Sequence, residues 1–330
     1  MKKMFQKTKP LEDYPGTLPQ LEKRFATEEA CRAYLEQIRW PRGFECPACG
    51  GRDPWRTGRG LWYCSGCRRQ TSVTAGTIFD GTRKPLRMWF HLIWLMTTQK
   101  TGASALGIQR QLGLRRYETV WTWLHKFRRA MVRPGRDRLS GVVEVHETYV
   151  GGKEEGVHGR QTETKSIVVI AAEENGKGIG RIRLARVPDV SGASLIPFVE
   201  SVAVPGTVVH TDGWEGYSGL QSRGYAHRIS NIRRSSRLAH ELLPRVHRVA
   251  SLLGRWWLGT HQGAIEAQHL EYYLDEFTFR FNHRSSRQPG KLFYRLVQQA
   301  LEVDPISWDD VAAAKKRSKK WRGGELESTG

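Results

Sequence analysis

Two C-x-x-C knuckles, "CPAC" and "CSGC", constrain this chain more than any other feature. They place Cys46, Cys49, Cys64 and Cys67 around a 14-residue spacer. Four thiolates in two close pairs match the tetrahedral coordination of zinc. All four donors are sulfur and no position stays open, so the ion is expected to be structural Zn2+ rather than catalytic. The spacer "GGRDPWRTGRGLWY" is rich in glycine and aromatics and reads as short hairpin strands, the pattern of a ribbon. A fifth cysteine, Cys31, sits on the helical segment "EEACRAYLEQIRW", which Pro41 ends, and reads as a buried apolar contact.

Charge narrows the class of partner. The 330 residues carry 53 Lys and Arg against 33 Asp and Glu, a formal net charge of +20. A surplus of this size suits a polyanion, with nucleic acid the first candidate. A solubility surface or an acidic membrane is the alternative. The first residues, "MKKMFQKTKP", lack the apolar core of a signal peptide, and "MWFHLIWLM" is too short to span a bilayer. A soluble, cytoplasmic protein with no membrane partner is therefore expected, and cysteines arranged for metal rather than disulfides agree with that.

The pattern of apolar residues divides the chain. Residues 1–80 read as an N-terminal helix and the ribbon. Residues 81–139 turn helical through "PLRMWFHLIWLMTTQ", "SALGIQRQLGL" and "YETVWTWLHKFRRAM". Helix, a turn at Gly113, and a second helix with Arg115 and Arg116 beside it is the layout of a helix-turn-helix. An ordinary small helical bundle is the competing description. After the linker "VRPGRDRLSG", residues 140–305 switch to alternation. Strands are predicted at "GVVEVHETYV", "KSIVVIAAEE" and "RIRLARVPDV", a helix at "SLIPFVESV", then strands at "GTVVHTDG" and "YAHRIS", and helices from Pro244 onward. Three antiparallel strands, a helix, further strands and then helices is the order of an RNase H-like mixed sheet. The fold class is thus multidomain α+β. Residues 306–330 form a basic tail expected to be disordered.

Two polar residues stand out against this pattern. Asp212 ends the apolar strand "VVHTD" just before a glycine, where an acid reaches a cleft while its backbone stays paired. A turn cap is the plainer role for such an aspartate. His247 lies 35 residues on, in the helix "LPRVHRVASLLGRWW", beside rather than within its apolar stripe. A surface or core histidine is its plainer reading.

Four blocks carry a resemblance to a known family. "RWPRGFECPACG", "VEVHETYVGGKEEG", "VVHTDGWEGY" and "WWLGTHQGAIEAQHLEYYLDEFTFRFNHR" with the following "GKLFYRL" resemble the zinc-ribbon insertion-sequence transposases of the IS1595 family, in its ISXO2-like branch. The likeness runs over about residues 25–305 with the blocks in the same order. It implies a DDE-type catalytic domain of RNase H-like fold that cuts double-stranded DNA at the element's ends and joins those ends to a target. It also implies a divalent Mg2+ or Mn2+ at the active site and a homo-oligomer on paired terminal repeats. Asp212 matches the second metal ligand. His247 matches the third, which in this branch is a histidine or asparagine.

The first ligand position, an aspartate in the family's "VEVDETYVGG", is His146 here. In two-metal catalysis the ions sit roughly 4 Å apart. In this class the first-strand aspartate usually binds both. Imidazole offers one nitrogen lone pair where a carboxylate bridges with two oxygens, and hard Mg2+ prefers oxygen. Strand alternation puts Glu144 on the face of His146 and Glu147 on the other, which leaves Glu144 as the one local carboxylate able to compensate. The family pattern already holds that glutamate, so it is no compensating change.

A second departure is Gly254, where the resemblance implies a lysine that holds a DNA phosphate. Arg248 and Arg255 stand close by and suit a phosphate, and Arg233, Arg234 and Arg237 in the basic segment "NIRRSSR" either do the same or form a solvated basic loop. Trp214 and Tyr217 either stack on a base or pack beside the strand. Thr260, His261 and Gly263 match the family's pattern too. The sequence thus leads to an insertion-sequence transposase whose competence His146 puts in question. A decayed copy that occupies the element ends without cutting is the alternative, and a zinc-ribbon RNA-processing nuclease a weaker one.

Overall fold

The computed structural model describes residues 14–99, 101–133, 135–151, 165–231, 235–263 and 265–312. In chain order the first elements are α1 (Leu18–Arg24), α2 (Glu28–Arg39), β1 (Pro54–Arg56), β2 (Trp62–Cys64) and β3 (Gln70–Thr71). Helices α3 (Leu86–Thr98), α4 (Ala105–Leu112) and α5 (Tyr117–Ala130) follow. Then come β4 (Val142–Val150), β5 (Ser166–Asn175), β6 (Gly178–Val187), α6 (Gly192–Val202), β7 (Val208–Thr211) and β8 (Ala226–Ile229). The last elements are α7 (Ala239–Leu242), α8 (Pro244–His261), α9 (Leu270–Asn282), α10 (Pro289–Glu302) and α11 (Trp308–Ala312). A 3-10 helix at Glu215–Arg223 links β7 to β8.

The chain divides into two units, one of residues up to 134 with 286–312, the other of residues 135–285. In the first, Thr17 and Thr27 cap α1 and α2 by accepting backbone N–H groups with their hydroxyls. Rings of Phe25, Tyr34, Phe90 and Phe293 pack with centroids 4.7 to 6.3 Å apart. The strands β1, β2 and β3 make a small antiparallel sheet whose core is Phe44, Cys46 and Cys64 with Trp40 and Trp62. Among the described residues no helix is long and apolar enough to cross a membrane.

The structure draws one boundary differently from the sequence. The sequence pattern groups residues 140–305 together, but α10 belongs to the first unit, where it packs on α2, α3 and α5. Its buried stripe of Phe293, Leu296, Val297 and Ala300 explains the preference, and an apolar stripe does not announce which core it will enter. Residues 308–312, expected in the tail, are helical and bury Val311. Residues 313–330, the rest of that tail, lie outside the described residues.

In the second unit, β4, β5 and β6 run antiparallel, with a two-residue turn at Gly176 (φ +55°) joining the last two. The chain crosses by α6 to β7, which pairs parallel with β4, and β8 pairs parallel with β7. The strands therefore lie in the spatial order third, second, first, fourth, fifth. One face buries Val143, Val145, Val169 and Val209 against Phe198 and Val199 of α6. The other buries Val168, Ile170 and Leu184 against Val246, Val249 and Leu253 of α8 and Leu274 and Phe277 of α9. Alternation along β4 thus sends odd-numbered residues toward α6 and even-numbered ones toward α8.

One buried acid fixes α8 to this sheet. Glu144, fully buried, accepts the backbone N–H groups of Arg245 (2.7 Å) and Val246 (3.0 Å) through Oε2. Its Oε1 accepts from Arg245 Nη1 at 2.8 Å. The residue preceding the helix, Leu243, has no polar side chain to cap it, so the strand supplies the cap and its charge meets the positive helix end. Arg245 continues to the β5–β6 turn by donating to the carbonyls of Gly176 and Gly178. Glu144→Ala should therefore lower the unit's stability by about 1–3 kcal/mol, since it leaves two helix donors uncapped, while Arg245 keeps Glu174 and the turn carbonyls as partners. Glu144→Gln, which keeps acceptor oxygen, should lose less, and urea unfolding followed by circular dichroism will rank the two.

Candidate active site

Strand lengths shape the cleft. β4 has nine residues and β7 four, and only Val142, Val143 and Glu144 pair with β7. The second half of β4 therefore runs past the carboxyl end of β7. His146 stands on that overhang, on the α8 side of the sheet. Asp212 follows the last residue of β7, and Gly213 turns the chain sharply at φ +81°. A Cβ on Gly213 would lie 2.6 Å from Ile229 Cγ2, so the turn requires glycine. It lets Asp212 Oδ1 accept the backbone N–H of Trp214 at 3.0 Å and leaves Oδ2 toward His146.

Three side chains converge here. His146 Nδ1 lies 3.7 Å from Asp212 Oδ2 and 3.9 Å from Glu147 Oε2. Both distances exceed a hydrogen bond. The ring of His247, one turn into α8, comes within 5.1 Å of the His146 ring, centroid to centroid. His146 Nδ1 and His247 Nε2 are both buried without a hydrogen-bond partner. Burial, followed by the neighbouring His146 and His240, pushes the His247 imidazole down to about 4 against the pull of Asp212. It is neutral near pH 7 and keeps a lone pair for a ligand.

Glu147 corrects the sequence reading. Alternation does aim it at the α6 side, where Tyr217 donates its hydroxyl to Oε2 at 3.3 Å. With β7 ending early, however, its carboxylate also reaches the cleft, and His146, Glu147 and Asp212 present ligand atoms within 4.8 Å of one another. Glu144, the compensating carboxylate expected from the strand period, is instead committed to α8. The signal missed was the brevity of "VVHT" beside the long first strand.

The donors fit a divalent ion only in part. They comprise one imidazole nitrogen and two carboxylate oxygens, with a second imidazole alongside. Two hard ions need a carboxylate bridging them, and the first position holds His146. A magnesium pair does not fit these residues.

Beside the cleft, a hydrogen-bond network ties β7 to β8 just ahead of Asp212. His210 Nδ1 accepts from Arg228 Nη2 (3.2 Å), its Nε2 pairs with Ser230 Oγ (2.8 Å), and Arg228 also meets Glu174 Oε1 at 3.1 Å. Trp214 donates its indole N–H to the Val190 carbonyl, and Tyr217 is fully buried, so both pack rather than face a base. His261 lies about 21 Å along α8 from His247 at 1.5 Å per residue, with its ring against Trp256 and Tyr273. Thr260 and Gly263 stand beside it.

The candidate DNA-contacting arginines are dispersed. Arg115 and Arg116 are exposed between α4 and α5, and Arg248 and Arg255 are exposed on α8 two turns apart. Arg237 is exposed and pairs with Glu241 at 3.6 Å. Arg233 and Arg234 lie outside the described residues. A Cβ on Gly254 would meet nothing within 4 Å, so no steric reason excludes a lysine there.

In the ribbon, Cys46 Sγ lies 3.5 Å from Cys67 Sγ, and Cys49 Sγ 3.6 Å from Cys64 Sγ. Thiolates about 2.3 Å from a tetrahedral zinc sit roughly 3.8 Å apart. The four sulfurs are thus gathered for one ion and not bonded in pairs.

Comparison with known proteins agrees with this arrangement. Residues 138–282 match the ISXO2-like transposase domain, and residues 26–70 match the transposase zinc-ribbon domain. A Halobacterium salinarum relative, "Uncharacterized protein in transposable element ISH50", is 25% identical over 291 residues, which cover 82% of this chain and 95% of the relative. An "Uncharacterized transposase-like protein" of Haemophilus influenzae is 26% identical over 120 residues, 35% of this chain and 92% of that one. The "Crystal structure of the Mos1 Strand Transfer Complex" overlaps 72% of this chain and 81% of its own at 13% identity. Its TM-score of 0.27 is too low to support a fold assignment. Ribbon and sheet domain together define the class, a zinc-ribbon insertion-sequence transposase. The two matched segments span more than half of the chain in a single order. The chain thus carries an ISXO2-like transposase domain preceded by a transposase zinc ribbon, the two domains matched for the IS1595 transposases.

Two measurements test the supports of this site. Burial first, then Arg228, pushes His210 from 6.5 down to about 4. A depressed folded value means that its contribution is full above pH 6.5 and is lost as pH falls from 6.5 toward 4, where the unfolded chain takes up a proton that the fold refuses. His210→Gln should flatten that acid limb in urea midpoints, with His247 and His227 retaining part of it. For the ribbon, metal analysis should find one zinc bound by the four cysteines. Cys49→Ser should lose it, with faster amide exchange confined to residues around 44–71.

Proposed function

We propose that the protein is a DDE-type insertion-sequence transposase that recognises double-stranded ends of its element and is impaired in cutting them. The convergence of His146, Asp212 and His247 at the carboxyl ends of the two central strands carries this reading. The strand order with α6 between the third and fourth strands supports an RNase H-like catalytic unit. The turn at Gly113 (φ +61°), which ends α4 ahead of α5, supports a helix-turn-helix with Arg115 and Arg116 on DNA phosphates. The net charge of +20 supports the same partner. The protein acts as a homo-oligomer on paired ends, in the bacterial cytoplasm.

The reaction of an intact site is hydrolysis at the element ends, then in-line attack of a 3′-hydroxyl on target phosphates. Asp212 and His247 occupy the second and third ligand positions for Mg2+ or Mn2+. Asp212 is oriented by the Trp214 N–H, and His247 by the clamp of Glu144 on its helix. His146 brings one nitrogen to the first position, where two bridging oxygens are needed. Gly254 removes the phosphate-holding cation from the face of α8. Both changes also favour a second reading, a decayed copy that occupies the ends and competes with active ones.

The natural protein and a His146→Asp variant, each with magnesium or manganese, will separate these on labelled duplexes of the element's ends. Both proteins should bind the ends, with affinity falling steeply as salt rises. Only the variant should nick and join. Equal cutting by the natural protein with magnesium would refute the impairment, and failure of both to bind would refute end recognition.

A further inference from the structure

The donors in the cleft describe a different metal site from the one the class requires, and this follows from the reading of the cleft given above. His146 Nδ1 and His247 Nε2 are buried nitrogens with no hydrogen-bond partner. An imidazole nitrogen in such a place has lost its water and gained no hydrogen bond. A metal ion is a partner that would satisfy it. Asp212 Oδ2 and Glu147 Oε2 stand 3.7 and 3.9 Å from His146 Nδ1. Those separations are too long for hydrogen bonds. Two ligands about 2.1 Å from a tetrahedral ion lie roughly 3.4 Å apart, so both carboxylate oxygens stand within a few tenths of an ångström of that spacing from His146 Nδ1, and the His247 ring lies 5.1 Å from the His146 ring.

The same geometry limits the number of ions. Asp212 turns Oδ2 to the cleft, while Oδ1 accepts the Trp214 N–H. The Glu147 oxygen facing His146 also accepts from Tyr217. No carboxylate is placed between two ions at the first position, because residue 146 has a single ring nitrogen aimed there. One ion fits, and two do not. Two nitrogens with two carboxylate oxygens is a donor set for borderline metals such as Zn2+, Co2+ or Ni2+, not for Mg2+.

We propose that the cleft binds a single borderline transition-metal ion through His146, Asp212 and Glu147, with His247 completing the shell, and discriminates against magnesium. The substitution at residue 146 thereby changes the metal class of the site instead of abolishing metal binding. Such an ion is held without the second one that in-line chemistry requires, so the proposed end binding would persist without cutting.

The test is cobalt titration of the whole purified protein with its ribbon loaded with zinc. One equivalent of Co2+ should bind with a visible d–d spectrum and without the near-ultraviolet thiolate charge-transfer band that the ribbon cysteines would give. Millimolar magnesium should leave that spectrum unchanged, and zinc should erase it. His146→Ala should weaken binding beyond the order of 10–100-fold that loss of a supporting second-sphere group costs. His146→Asp should let magnesium compete. Should His146→Ala not fold, cobalt-edge X-ray absorption of the natural protein counts imidazole ligands without any variant, and two are expected. No cobalt bound outside the ribbon, two equivalents bound in the cleft, or an imidazole-free shell would each overturn the proposal. End binding by the same preparation is scored separately. Loss of cobalt binding with end binding intact refutes this inference alone, and loss of end binding refutes the transposase reading.

Discussion

A single buried carboxylate governs the geometry of the second unit. Glu144 sits on the central strand with no exposed surface and takes the first N–H groups of α8 along with the guanidinium of Arg245. A charge in that place is costly unless fully partnered, and it is partnered by a helix end and an arginine together. The consequence is positional. Residue 146 lies two places along the same strand face, and His247 lies two residues past Arg245 on the helix, so one clamp sets the separation of both imidazoles. Any rotation or slide of α8 would have to break three hydrogen bonds to a buried acid. The support of the cleft is ionic and lies immediately behind it.

The mismatch between β4 and β7 supplies the rest of the cleft. A parallel partner of equal length would cover the overhang, hold Glu147 on the α6 face and leave Asp212 elsewhere. Because β7 stops after four residues, the sheet ends in a step. Side chains from both faces of β4 meet at that step with the acid that leaves β7. This is how one strand contributes both His146 and Glu147 to the same space, although alternation assigns them opposite directions.

Local features of this architecture were legible in the sequence and paired ones were not. The cysteine knuckles are a spacing rule, and the strands are a period, so Cys46 to Cys67 and the five strands of the sheet were readable directly. Asp212 and His247 could be singled out because each broke a local apolar pattern. Glu144 could not be assigned to Arg245, since the pair is 101 residues apart and nothing in "VVEVHE" names a partner. Glu147 was misjudged for the same reason, as its reach depends on where another strand ends. The return of α10 to the N-terminal unit was hidden likewise, because amphipathicity states that a face will be buried without stating against what. His210 and Arg228 brace β7 and β8 through contacts that only the parallel pairing creates.

The groups that stabilise the fold are separate from the groups that would catalyse. Glu144, Arg245, Arg228 and His210 brace the sheet and helices, and none of them occupies a ligand position of the class. His146 is partly exposed and makes no hydrogen bond through Nδ1, and the flanking Val145 and Glu147 are buried. Gly254 is a helix position facing open space, costing about 1 kcal/mol relative to alanine, a loss that an 18-residue helix packed along its opposite stripe tolerates. Changes at 146 and 254 can therefore accumulate without unfolding the unit, the ribbon or the α4–α5 pair. A chain built this way keeps its basic surfaces and its zinc site when its chemistry is altered. On the proposed reading, binding would outlast cutting because the stabilising interactions lie away from the ligand positions.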